Sequence, residues 1–170
     1  MTKAEFVKVL LPYAKECEQE TGVDAYVILA QAALESGWGR YAPGNMYFGV
    51  KDVDGINGNE QLVLTTEYSR RANCTPQELG LVDIQSIQPV IMTGRSFFKY
   101  RGHAYFRKFD TPKDSFVQHA QLFQKPVYAE AYAQRKDPVK FIELMAKHYA
   151  TAPNYAEILT SLYNEVKKAS

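Results

Sequence analysis

The run Ala25-Tyr-Val-Ile-Leu-Ala-Gln-Ala-Ala-Leu34, closed by Glu35-Ser36-Gly37-Trp38-Gly39, most constrains this chain. A segment so apolar and of this length reads as a buried helix. Gln31 and Glu35 bring the only strongly polar groups to it, and their four-residue spacing puts both on one helix face. Glycine takes the left-handed conformation that stops a helix, so Ser36-Gly37 and Gly39 end it. Glu35 therefore falls in the last turn, where backbone carbonyls carry partial negative charge. Partial burial and the dipole end both disfavour its ionised form. A carboxylic acid that keeps its proton near neutrality suits general acid catalysis. The plainer role for such a glutamate is to cap a solvated helix edge. A helix this apolar has little solvated face, which points Glu35 into a cleft.

The chain is 170 residues long, enough for one domain with one core. A net charge of +1 gives no electrostatic case for nucleic acid, which calls for a clustered basic surface. It leaves room for a polymer held by sugar contacts. The 12 tyrosines and 9 phenylalanines are a high aromatic load; much of it belongs to the core, and some tyrosines can offer a sugar a flat face and a hydroxyl. Cys17 and Cys74 are too few for a disulfide scaffold, and their spacing leaves both a bond and two free thiols open. His103, His119 and His148 are dispersed, without the spacing of a metal site, and no cofactor is expected. No apolar segment follows Met1-Thr2-Lys3-Ala4-Glu5 as in a secretory signal, and no run reaches membrane-spanning length.

Thr2 and Glu5 fit a capping box, and Phe6, Val9, Leu10, Tyr13, Ala14 and Cys17 recur at helical spacing. Residues 3 to 20 are thus an amphipathic helix that Gly22 ends, its stripe facing the Glu35 helix. Pro43-Gly44 marks a turn before the Asn45–Lys51 block. Gln61 to Tyr68 is a strand. Ser96–Tyr100 and His103–Phe109 read as a hairpin turning at Arg101-Gly102. Thr111-Pro112 and Asp137-Pro138 start helices, with Phe116, Ala120 and Phe123 on the apolar face of the first. Lys125-Pro126 breaks the chain before a helical segment from Val127 to Gln134. Ala152-Pro153-Asn154 is a corner before a last helix carrying Ile158, Leu159, Leu162 and Val166.

Gln31-Ala-Ala-Leu-Glu-Ser-Gly-Trp-Gly39, followed by Asn45-Met-Tyr-Phe-Gly-Val-Lys51, resembles the signature of family 73 glycoside hydrolases. These are the flagellar muramidase-like and autolysin-like β-N-acetylglucosaminidases. The likeness resumes at Leu64-Thr-Thr-Glu-Tyr68, at Phe106-Arg-Lys-Phe-Asp-Thr111 and at Tyr149-Ala-Thr-Ala-Pro-Asn-Tyr-Ala156. It implies a lysozyme-like, mostly helical α+β fold with a small β-hairpin lobe. It also implies Glu35 as general acid, Glu67 as the second carboxylate, and a tyrosine near the centre, for which Tyr155 is the choice and Tyr149 the reserve. Gln31, Trp38, Asn45, Tyr47, Phe48, Tyr68 and Tyr149 are the expected substrate contacts. From its own neighbours alone, Glu67 reads as a solvent-facing strand residue in a salt bridge; it is the resemblance that makes it the second carboxylate.

Two departures from the family pattern stand out. Ala152 replaces the usual aspartate of the corner, for which a small stability effect is expected. The return from the Thr-Glu-Tyr strand to Phe106-Arg107 is delayed by an insertion at about 70–95. Thr75-Pro76 predicts a short helix there, and Ile84 to Ile91 is rich in apolar residues.

The activity implied is hydrolysis of the β-1,4 bond between N-acetylglucosamine and N-acetylmuramic acid in peptidoglycan, by a monomer acting in the periplasm or cell wall. Inversion through Glu67-activated water needs carboxyls about 6.5–9.5 Å apart, direct attack by Glu67 needs about 5 Å, and attack by the substrate's own N-acetyl group needs neither. The rivals are a wall-binding module that has lost catalysis, a lytic transglycosylase and a helical adaptor. The candidate settings are an autolysin, a phage lysin, or an antibacterial toxin exported by a contact-dependent (type VI) route and plugged by an immunity protein.

Overall fold

A computed structural model describes residues 1–170, which divide into two compact units: residues 1–48 with 109–170, and residues 49–108.

The first unit is helical. Helix α1 (Lys3–Thr21) starts on the Thr2–Glu5 capping box and ends on left-handed Gly22, both as expected. Helix α2 (Ala25–Ser36) starts on Asp24, whose carboxylate accepts from the Tyr26 and Val27 amides. From Ala25 to Ala33 every α2 residue except Tyr26 is buried. Helix α3 (Pro112–Gln121) begins on a reciprocal Thr111–Asp114 cap, and short turns around Lys125-Pro126 lead into α4 (Ala129–Ala133). Asp137 caps α5 (Pro138–Tyr149), and α6 (Tyr155–Ala169) follows the Ala152–Asn154 corner. Helix α1 packs on α2, as its stripe requires, and also on α3 and α6; α2 packs in addition on α6. The buried side chains Phe6, Leu10, Ile28, Leu29, Phe116, Phe123, Phe141, Ile142, Met145 and Leu159 fill the space between them. No helix is long and apolar enough to cross a membrane.

The second unit is a three-stranded antiparallel sheet: β1 (Glu60–Ser69), β2 (Ser86–Met92) and β3 (Arg95–Arg107), in the order β1-β3-β2. The mostly helical α+β class is as read from the sequence, with three strands rather than a simple hairpin. Two expectations need correction here. The short helix expected after Thr75-Pro76 is a single 3-10 turn, Gln77–Leu79. The Thr75 cap does form, with the Glu78 amide donating to Thr75 Oγ1, but left-handed Gly80 stops the turn at once. The rest of the insertion supplies β2, whose Pro89 is tolerated because β2 is an edge strand.

The hairpin expected to turn at Arg101-Gly102 does not exist, since both residues lie inside the continuous strand β3. The real turn is Thr93-Gly94, where both residues have positive φ (50° and 73°), as a two-residue hairpin loop requires. Gly102 serves close approach instead. The 82–85 segment lies against β3 at this point, with the Val82 amide on the His103 carbonyl and the Gln85 amide on the Arg101 carbonyl, each at 2.7 Å. Asp83 accepts from the His103 amide at 2.8 Å and meets its Nδ1 at 2.9 Å. A β-carbon at position 102 would overlap the Asp83 backbone carbonyl. Gly102→Ala should therefore push this segment off the strand and cost about 1–3 kcal/mol. Denaturant unfolding with faster amide exchange at Val82 and Gln85 checks it; unchanged exchange would refute the close-packing account.

Candidate active site

The end of α2 is closed tightly. Gly37 is left-handed, the Trp38 amide reaches back to the Ala33 carbonyl at 2.9 Å, and buried Ser36 accepts the Gly39 amide at 2.8 Å. This fixes the last turn and, with it, the backbone of Glu35. Tyr149, at the end of α5, donates its hydroxyl to Glu35 Oε1 in a long hydrogen bond of 3.5 Å. Glu35 keeps an open flank, yet the protein around its carboxyl removes enough solvent to raise its pKa above the usual glutamate value, and the Tyr149 bond only partly opposes this. The carbonyl end of α2 acts in the same upward direction.

Behind Glu35 stands a connected polar set. Gln31, one turn earlier, is 0% exposed. Its Nε2 donates to the Tyr155 hydroxyl oxygen at 3.2 Å, and its Oε1 meets His119 Nε2 at 3.0 Å. Tyr149 and Tyr155 lie ring to ring at 5.3 Å. Burial drives both phenols upward, Tyr155 to about 12, so both are neutral donors at ordinary pH. Burial also drives the His119 imidazole below its ordinary range.

The first unit thus gathers Gln31, Glu35, Tyr149 and Tyr155. Gln31 was expected to touch substrate; fully buried, it is placed to hold a tyrosine instead. Tyr47 and Phe48 are buried among rings: Tyr47 lies 5.3 Å from Phe116, and Phe48 is stacked flat on His119 at 3.6 Å. The Trp38 ring is occupied by Phe6, edge-on at 5.4 Å, and by the Lys3 ammonium at 4.8 Å. Asn45 ties its loop to the chain beyond β3 by donating to the Phe109 and Asp110 carbonyls at 2.9 and 3.2 Å.

In the second unit Glu67 lies on β1 opposite Tyr100, and its Oε1 accepts from the Lys51 ammonium at 2.6 Å. Lys51 also donates to the Leu79 carbonyl at 3.5 Å, which links the insertion to this carboxylate. Tyr68, next on the strand, is 47% exposed and free to stack. Cys17 and Cys74 are both free thiols. No group of three or more histidine, cysteine, aspartate or glutamate side chains is arranged to hold a metal ion.

Sequence reasoning assigned no role to His119 or Lys51. His119 carried a faint signal, since it falls at helical spacing among Phe116, Ala120 and Phe123, where a polar ring needs a partner. Lys51 sat inside the Asn45–Lys51 block, but nothing in the sequence names the carboxylate it meets.

A helix-end glutamate beside two neutral phenols, on a lysozyme-like helical unit with a small antiparallel sheet, marks the glycosidase class. The model of the glucosaminidase family, described as mannosyl-glycoprotein endo-β-N-acetylglucosaminidase, matches residues 11–168. The chain belongs to this family, glycoside hydrolase family 73. Peptidoglycan hydrolase FlgJ of Pseudomonas aeruginosa is 27% identical over 96% of the chain, and FlgJ of Salmonella typhimurium 29% identical over 99%. The chain spans only 36% and 48% of their respective lengths. A solved, C-terminally truncated glycoside hydrolase domain of the Salmonella typhimurium protein superposes with a TM-score of 0.71 at 26% identity, covering 99% of this chain and 100% of that one. The catalytic domain of the autolysin Auto from Listeria monocytogenes shares the fold, with a TM-score of 0.69 at 22% identity over 100% and 89% of the two chains.

Proposed function

We propose that this protein hydrolyses the β-1,4 bond following N-acetylglucosamine in peptidoglycan, in the cell wall or periplasm, with Glu35 as general acid. The observation that carries the reading is Glu35 itself: a carboxyl in the last turn of a buried helix, partly desolvated, with its pKa raised and a neutral phenol against it. Such an acid holds a proton for the leaving glycosidic oxygen at a pH where an ordinary glutamate has lost it. Glu67, ion-paired to Lys51, is proposed as the second carboxylate. Tyr155 is proposed as a donor to the substrate, and Tyr68 as a stacking surface for a sugar ring. The family match runs through both units, which supports reading them as one hydrolase domain.

The test is to incubate the protein with purified sacculi, reduce the products with borohydride and analyse them by mass spectrometry. Reduced N-acetylglucosamine ends are expected. Anhydro-sugar ends would identify a transglycosylase, reduced muramic acid ends a different bond, and no new ends a binding module.

Tyr149 tunes the acid, and the sign of its effect follows from the hydrogen bond. Its hydroxyl favours the carboxylate form of Glu35. Tyr149→Phe removes that donor and keeps the ring, so the pKa of Glu35 should rise further. The alkaline limb of the pH–activity curve should then move to higher pH. A limb that stays put or moves down would show that Glu35 does not set it.

A further inference from the structure

We infer that Gln31 and His119 are positioning residues for Tyr155, a buried relay that fixes the direction in which the Tyr155 hydroxyl gives its proton. The inference rests on the reading above, in which Tyr155 faces the substrate.

A fully buried amide is stable only if both of its ends are satisfied. Gln31 achieves this with Tyr155 on one side and His119 on the other. The amide oxygen has no proton to give, so His119 must carry its proton on Nε2. The amide nitrogen has no lone pair to offer, so Tyr155 accepts from it and cannot donate back. The Tyr155 proton is thereby left for another acceptor. In the reverse polarity the amide would be flipped, His119 protonated on Nδ1, and the Tyr155 proton spent on Gln31. The tautomer of one histidine thus decides whether the tyrosine is a donor toward substrate.

The surroundings of His119 hold that ring in place. Phe48 stacks on it at 3.6 Å with an interplanar angle of 6°, and Phe123 and Tyr149 meet it edge-on at 5.4 and 5.8 Å. With its plane clamped on these sides, Nε2 is aimed at Gln31. The relay reaches Tyr155 beside Tyr149, whose own hydroxyl serves Glu35. A phenol oriented in this way suits an acceptor oxygen on the sugar, such as the acetamido carbonyl of N-acetylglucosamine. This also gives the Phe48 of the Asn45–Lys51 block a task beyond core filling: it sets the plane of the relay histidine.

Two measurements test the inference. In the wild-type protein, nitrogen-15 NMR of His119 should show the proton on Nε2, and a proton on Nδ1 would overturn the relay polarity. In a mutant cycle, His119→Phe keeps the ring stack and Gln31→Met keeps the volume, while each removes one link. Each should lower kcat about tenfold, the scale of one lost hydrogen bond, with KM little changed. Neither should lower it further in a Tyr155→Phe background. Full kcat in both single variants, or losses that multiply with Tyr155→Phe, would overturn the inference. Should either variant fail to fold, the wild-type tautomer still decides. Should the wild-type protein release no reducing ends, the enzymatic reading falls, while the tautomer measurement still reports on the relay.

Discussion

Glu35→Gln is expected to reduce the release of reducing ends from purified sacculi by about 10²–10⁴-fold, the usual weight of a positioned general acid. Glutamine keeps the shape of the side chain and can still accept the Tyr149 hydroxyl, but it cannot give up a proton to a leaving oxygen. The fold should not suffer. The pKa of Glu35 is higher in the folded state than in the unfolded chain, so the folded state favours its protonated form. The stability gained from that preference is present below the unfolded pKa and is lost as pH rises through the folded value. Above that folded value the ionised side chain is a small burden, and there the variant should melt at the same temperature or slightly higher. Stability retained or raised with activity lost marks a functional residue rather than a structural one. A Glu35→Gln variant with undiminished lysis would remove the proposed acid altogether.

Phe116→Ala is expected to destabilise the fold strongly, by about 3–5 kcal/mol. Phe116 is 0% exposed on α3, with the Tyr47 ring 5.3 Å and the Phe48 ring 6.3 Å away. Truncation leaves a void that these rings can fill only by tilting, and Phe48 cannot tilt without breaking its flat stack on His119. Activity should therefore fall at temperatures where the variant is still fully folded. Thermal unfolding should show a drop on the order of 10 °C for a chain of this size. A loss of less than about 1 kcal/mol would mean that the rings re-pack freely and that the Phe48–His119 stack is not rigid.

Much of the helical unit was legible because its signals are local. The Thr2–Glu5 and Thr111–Asp114 caps, the glycines at 22 and 37 and the prolines at 112 and 138 each act on neighbours a few residues away. The α2 core was legible because only a buried helix can be apolar on every side. Position 102 was misread because glycine has two uses. It permits turns and it permits close approach, and the sequence does not show that the 82–85 segment comes to rest on it. The insertion was misread for a related reason: Thr75-Pro76 does initiate a helical turn, but the apolar stretch beyond it finds the open edge of β3 and pairs there instead.

Taken alone, the sequence determined where α2 ends, that Glu35 occupies its last turn, and that Gln31 shares its face, since each follows from spacing and from backbone preferences within one helix. Only the tertiary structure decided what those two side chains meet. Gln31 finds partners on α3 and α6, far along the chain, and Glu35 finds a phenol at the end of α5. Helical periodicity fixes which way a side chain points, but a hydrogen bond also needs a partner of the right polarity within about 3 Å, and only packing brings distant helices that close.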